Sequence, residues 1–175
     1  YKISEDPEEI AAELQTIIDR PGTLVTYDTE TTGLYAFAEG AAIVYMMFRW
    51  EDENGDPKSI GFPWDYATSP IKPYIDELSP YVVSALQSSK LIGHNLTFDA
   101  LFTYANVKGV DLDKLAEACC FDTWHEAFVL QQQRGTLGLD MMAYRFVPDL
   151  AGYDEDYSIL IELYRELLHP EEGGH

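Results

Sequence analysis

Leu24-Val25-Thr26-Tyr27-Asp28-Thr29-Glu30-Thr31-Thr32-Gly33-Leu34 is the stretch that most narrows what this chain can become. Its first residues are β-branched and apolar, as in a strand packed among neighbours, and it ends in two carboxylates and a glycine turn. Strand side chains alternate, so Asp28 and Glu30 share one face and Thr29 takes the other. Carboxylates about 6–7 Å apart along a strand can converge on two divalent cations roughly 3.5–4 Å apart. Metal-assisted phosphodiester cleavage uses such an arrangement. Other acidic pairs at this spacing, Glu51/Glu53, Asp111/Asp113 and Asp154/Asp156, stand in polar stretches and read as solvated. Asp28 and Glu30 follow a hydrophobic strand, where like charges near a core are costly and cations are the natural remedy.

A second segment points the same way. Lys90-Leu91-Ile92-Gly93-His94-Asn95-Leu96-Thr97-Phe98-Asp99 reads as a short strand, a turn and the start of a helix running to about Ala105. If the helix starts near Asn95, Asn95 and Asp99 share a face with Cβ atoms roughly 5–6 Å apart. Asp99 falls in the first turn, where the helix dipole favours an anion, and Asn95 also reads as a helix cap.

Together these segments resemble the DEDD superfamily of 3′–5′ exonucleases. Asp28 to Leu34 is similar to the first motif of that family, and His94-Asn95-Leu96-Thr97-Phe98-Asp99 to the second. The likeness is nearest to the proofreading domains of family A DNA polymerases, notably those of phages. In these, segments like Phe121-Asp122-Thr123-Trp124-His125-Glu126-Ala127-Phe128-Val129-Leu130 and then Leu137-Gly138-Leu139-Asp140-Met141-Met142-Ala143-Tyr144 follow. The likeness spans about 24 to 147 and implies an α/β fold, a ribonuclease-H-like mixed sheet flanked by helices.

One departure stands out. The family's third motif, Tyr-x-x-x-Asp or His-x-x-x-x-Asp, does not occur after Asp99: the residues four beyond Tyr104, Tyr144, Tyr153, Tyr157 and Tyr164 are Lys108, Pro148, Tyr157, Ile161 and Leu168. The expectation is therefore one exonuclease-like domain over 1–175, a piece of a longer polymerase chain without its last helix.

The resemblance also implies roles. Asp28 would bridge two cations, Mg²⁺ or Mn²⁺, while Glu30 holds one of them beside the terminal 3′ hydroxyl. Asp99 would serve the other through waters. Leu34 would wedge against the terminal base, Thr31 would lie at the turn near the 3′ end, and Asn95 would contact the end nucleotide. Phe98 would line the groove or belong to the core. His94 reads as a hydrogen-bonded strand end rather than a metal ligand, and Asp122 as the cap of the helix that follows it. Trp50, Trp64, Trp124, Met141 and Met142 read as packing residues. Arg145 and Arg165 are candidates for phosphate, with surface ion pairs the blander assignment.

Composition bounds the partners. A net charge of −20, with 11 basic against 31 acidic residues, argues against a nonspecific duplex-DNA binder, because such affinity comes largely from Lys and Arg. A site admitting a few nucleotides of single-stranded DNA 3′ end remains compatible, with a polymerase domain in cis or in trans supplying the rest. No apolar run approaches the roughly 20 residues that cross a bilayer, so no membrane is expected. Cys119 and Cys120 are adjacent, read as reduced thiols, and suit a cytoplasmic setting; the resemblance implies a bacterial or phage-infected cell.

Periodicity predicts helices over 6–20, 73–88, from Asn95, and from Asp122, Leu137 and Glu155. Strands are predicted from Leu24 to the two carboxylates Asp28 and Glu30, and over 41–50, 59–62 and 91–94, with a hairpin loop at 51–56. Three functions fit: an editing DNA exonuclease, an RNA-trimming exonuclease of the same superfamily, or a degenerate domain kept for its surface. Three converging carboxylates argue against the last, since each pair about 6 Å apart repels by roughly 3 kcal/mol at an effective dielectric of 20.

Overall fold

Asp6 opens the first helix: its carboxylate accepts the Glu8 N–H at 3.0 Å and Pro7 takes the first turn. That helix, α1 (Pro7–Ile18), buries Ile10, Leu14 and Ile17 on one stripe, as the 3.6-residue period requires. Gly22, at φ +81°, then turns the chain into β1 (Leu24–Thr31). The computed structural model describes residues 2–131 and 137–147. They fall into a first compact unit ending at Thr123 and a second beginning at Trp124.

The first unit carries β2 (Ile43–Glu51), β3 (Pro57–Pro63), α2 (Ile75–Ser88), β4 (Lys90–Gly93), α3 (Leu96–Asn106), α4 (Leu112–Ala118) and β5 (Cys119–Asp122). Five strands form one sheet in the order β3-β2-β1-β4-β5. β1 pairs antiparallel with β2 and β2 with β3, whereas β1–β4 and β4–β5 are parallel. The sheet is mixed, as expected for a strand meander followed by alternating helices and strands.

The hairpin between β2 and β3 is set by Asp52, whose Oδ1 accepts the N–H groups of Asn54 and Asp56. On the next pleats Gly61 makes room for the Tyr45 ring, which lies 2.8 Å from where a Cβ would stand. One sheet face is the core: Val25 and Tyr27 from β1 join Met46, Phe48 and Trp50 from β2, Ile60 and Phe62 from β3 and Leu91 from β4. Side chains of α1, α2, α3 and α4 complete that cluster. Trp50 and Trp64 are buried there, as their aromatic character predicts.

Two elements went unread in the sequence, α4 and β5. Asp111 caps α4 by accepting the N–H groups of Asp113 and Lys114; both acidic residues of that pair are solvent-exposed, as expected, and Asp111 has this structural use besides. The stretch 119–122, expected to lead into a helix, is instead the edge strand β5. The second unit contains α5 (Thr123–Gln131, its first residue shared with the first unit) and α6 (Leu139–Phe146). Met141, expected to pack, is exposed on α6. The helix expected from Glu155, Arg165 and the region searched for a third motif beyond 147 lie outside the described residues.

Candidate functional site

The two halves of β1 have different neighbours. β4 pairs with it only from Leu24 to Thr26, because β4 ends at Gly93. Beyond Thr26 the β4 side of β1 has no strand partner, and a backbone donor left there must find another acceptor. Asp99 supplies it. Its Oδ1 accepts the Thr29 N–H at 2.9 Å and the Thr29 hydroxyl at 2.7 Å.

Local chemistry brings α3 to that edge. A Cβ on Gly93 would stand 2.5 Å from the Leu96 side chain and 3.0 Å from the Tyr27 carbonyl, so the tight exit from β4 requires glycine. Asn95 follows in the left-handed conformation, φ 61° and ψ 45°, which asparagine tolerates better than most residues. It occupies the cap position without a side-chain cap bond. It therefore stands outside the helical face it was expected to share with Asp99. Asp122 takes over the capping: its two oxygens accept the N–H groups of Asn95 at 2.8 Å and Leu96 at 2.9 Å. From sequence it was expected to cap the helix after it; the fold also sets its carboxylate on the N-terminus of α3. One turn beyond Asp99, Thr103 binds the Tyr27 hydroxyl at 2.7 Å and donates to the Asp99 carbonyl, also at 2.7 Å. Burial holds the Tyr27 phenol well above its ordinary pKa, so it stays a neutral strut.

The strand pleat puts Asp28 and Glu30 on the exposed face, opposite Met47 and Tyr45 of β2, while Thr29 is buried toward α3. Asp28 faces solvent, yet the protein around it, and then the charge of Glu30, raise its carboxyl above the ordinary range. Asp99 is only 3% exposed. Burial pushes its carboxyl up to about 7; the Thr29 hydroxyl bond opposes this, and the charge of Asp28 adds to it. Asp28 is thus an electrostatic neighbour of both other carboxylates. Among the described residues no three His, Cys, Asp or Glu side chains close on a common cation position. Two adjacent pairs sharing Asp28 describe the arrangement.

The donor set fits a hard divalent cation. All three groups offer carboxylate oxygens, the ligands Mg²⁺ and Mn²⁺ prefer. Among the described residues no Lys or Arg pairs with Asp28, Glu30 or Asp99. Asp99 Oδ1 takes both bonds from Thr29.

The residues expected to meet substrate surround this edge. Thr31 ends β1, with its hydroxyl donating to the Gly33 carbonyl at 2.7 Å. Leu34 is 77% exposed in the following loop. Asn95 is exposed at the head of α3, whereas Phe98 is half-buried against Phe102, with ring centroids 4.8 Å apart. His94 binds the Thr123 hydroxyl through Nδ1 at 2.9 Å, a hydrogen bond at the strand end. Burial, then the charge of Asp122, pushes the Cys119 thiol up to about 11, which makes it a packing residue rather than a nucleophile. A cavity of about 370 Å³ on the sheet's exposed face is lined by Arg20, Thr26, Arg49 and Trp50 among others; none of the three carboxylates lines it.

No family model matches the chain. A curated relative is the DNA polymerase of Escherichia phage T5, 25% identical over an alignment of 161 residues, which covers 88% of this chain. This stretch spans only 17% of that polymerase. Among solved structures, the chain is similar to the catalytic core of RRP6 from Trypanosoma brucei, with a TM-score of 0.53 and 13% identity over 84% of this chain and 34% of that one. It also overlaps Exonuclease I at a TM-score of 0.42 and 13% identity, over 66% of this chain and 32% of that chain. The expected fold is the observed one: a ribonuclease-H-like mixed sheet with helices against it. No helix among the described residues is long and apolar enough to cross a membrane.

Proposed function

We propose that this chain is a DEDD-type 3′–5′ exonuclease domain, the proofreading part of a family A DNA polymerase acting on single-stranded DNA 3′ ends. The observation that carries this reading is the buried Asp99, anchored by one oxygen to Thr29 and adjacent to Asp28, which in turn neighbours Glu30. Support for a polymerase setting comes from the phage relative, and support for the fold from the RRP6 core.

Asp28, Glu30 and Asp99 are the residues that would hold two divalent cations. Cations bound there would activate a water molecule and offset charge on the scissile phosphate and leaving oxygen. The chain's own residues do the positioning. Thr29 fixes the Asp99 carboxylate through two bonds to one oxygen. Thr31 holds the turn that presents Leu34, which stacks against the terminal base. Asn95 meets the end nucleotide, and Phe98 borders its path while packing on Phe102.

A second reading has its own observation: the three carboxylates do not close on one point among the described residues. This favours a degenerate domain retained for its surface. One experiment separates the two. Release of 3′ nucleotides from single-stranded DNA is measured with Mn²⁺ for this chain and for a polypeptide extended by roughly 40 residues, room for a further helix and its connection. Activity in the longer protein, with a melting temperature raised by Mn²⁺ in both, is the expected result. Inactivity in both, with no effect of Mn²⁺ on melting, would sink the nuclease assignment. Matched DNA and RNA oligonucleotides then decide the sugar preference, which rests on 2′-hydroxyl contacts.

A further inference from the structure

Between β1 and β2 the chain forms a loop whose two ends are tied together. The Thr32 N–H donates to the Ala42 carbonyl at 3.0 Å, and the Ala42 N–H returns a bond to the Thr32 hydroxyl at 2.9 Å. Within it, Ala38 N–H bonds the Tyr35 carbonyl and Ala41 N–H the Ala38 carbonyl, each at 3.1 Å, and Gly40 turns at φ +76°. Ala36 rests on the core cluster. This is a compact, self-packed Ω-type loop.

Its large apolar side chains point away from that core. Tyr35 is 77% exposed and Phe37 70% exposed. Phe37 reaches α3 and meets the ring of Tyr104, itself 44% exposed, at 6.5 Å between centroids and 69° between planes. An edge-to-face pair is a favourable geometry, and it leaves much of each ring in water. The loop thus leaves β1 directly after Asp28 and Glu30 and lands on the helix that carries Asp99. Tyr104 lies five residues beyond Asp99, about 7.5 Å further along the helix axis.

We infer that Phe37 and Tyr104, with Tyr35 beside them, form a stacking platform for the unpaired bases just upstream of the 3′ end. The inference rests on the nuclease reading of the adjacent carboxylates. Charge selects the occupant. With 31 acidic residues against 11 basic, the chain has little with which to grip phosphates, so affinity for a strand must come from its bases. Exposed aromatic rings provide that, because every base has a π-face and stacking is tolerant of sequence. An editing site needs the same tolerance, since any base can be the misplaced one. Closure by Thr32 and the Phe37–Tyr104 contact hold the rings in place before a strand arrives, which lowers the ordering cost of binding.

The test measures dissociation constants by anisotropy, in EDTA so that nothing is cut, for a labelled single-stranded oligonucleotide in two forms. One form has all its bases; the other lacks the bases of the second to fourth nucleotides from the 3′ end. Doubly substituted protein, Phe37→Ala with Tyr104→Ala, should bind the intact strand roughly five-fold or more weakly, the size of one lost stack. It should bind the base-free strand as the unaltered protein does. Phe37→Trp and Tyr104→Phe should preserve affinity. Equal weakening on both strands, or none on either, overturns the platform. A change in sedimentation without a change in DNA affinity also overturns it, and reassigns the rings to contact between copies of the chain. If unaltered protein fails to bind the intact strand while 3′ nucleotides are still released, the platform falls and the nuclease stands. Neither binding nor release removes both.

Discussion

Asp99 and Asp122 meet the same end of the same helix and are used in opposite ways. Asp122 reaches α3 from β5 and engages both oxygens on backbone N–H groups, filling the acceptor role that a helix N-terminus demands. Asp99 sits inside the first turn of α3 but faces the overhanging half of β1, with both of its bonds on one oxygen. It is buried beside another carboxylate, and its acid is pushed up to about 7. A carboxylate that completes a helix is matched by the dipoles it caps. A buried carboxylate beside a like-charged neighbour is held at a cost that its two bonds from Thr29 only partly offset. The first is architecture; the second is an arrangement that the proposed cations would relieve.

The largest effect that would sharpen this contrast is on activity. In a polypeptide long enough to cleave DNA, Asp28→Ala or Asp99→Ala should lower 3′ nucleotide release by at least roughly 10³-fold, as loss of a charge-stabilising group does. Circular dichroism should show the fold retained. Asp122→Ala should keep measurable activity, and a nuclease that survives Asp99→Ala would erase the distinction.

Stability should respond in the reverse order. Asp99→Asn preserves an acceptor for Thr29 while removing the buried charge, so the metal-free protein should gain stability at pH 8, on the order of a few kcal/mol. Urea unfolding measures it. The sign follows from linkage: an unfolded aspartate titrates near 4 and the folded Asp99 at about 7, so the folded state holds the proton more tightly. This contribution is fully present below about pH 4 and is lost as pH rises to about 7. The difference in melting temperature between the Asp99→Asn variant and the unaltered protein should therefore widen across that window and level off above it. A constant difference would mean that Asp99 is not the group responsible.

Asp122→Ala should destabilise by about 1–2 kcal/mol, since a lost cap costs that much. The smallest effect concerns the turn that delivers α3. Asn95→Gly should change stability by less than about 0.5 kcal/mol, because glycine accepts the left-handed conformation. Asn95→Val should cost roughly 1–2 kcal/mol there. Equal stabilities for the two variants would show that the backbone at 95 relaxes.

Much of this was legible in the chain itself. Alternation alone places Asp28 and Glu30 on one face and Thr29 on the other, because a strand has no other way to display them. The first helix, the β2–β3 hairpin and the short β4 strand followed by α3 carry their own signals: Asp6-Pro7 at a helix start, Asp52 and Gly55 in a turn, Gly93 before a helix. The short elements α4 and β5 escaped because seven and four residues give periodicity little to show. The cap at Asp111, with Leu115 and Ala118 three apart on one buried side, was the available clue.

What the sequence by itself determined, then, is local: which residues alternate, where helices begin, and which carboxylates are candidates. Only the tertiary structure decided how they are used. That β4 stops at Gly93 leaves the Thr29 N–H without a strand partner, and Asp99 fills that gap from 70 residues away. The same shortness brings Asp122 within reach of the α3 N-terminus. A backbone donor must be satisfied wherever it is buried, but which carboxylate does so depends on where strands end in space, and no window of sequence contains that length.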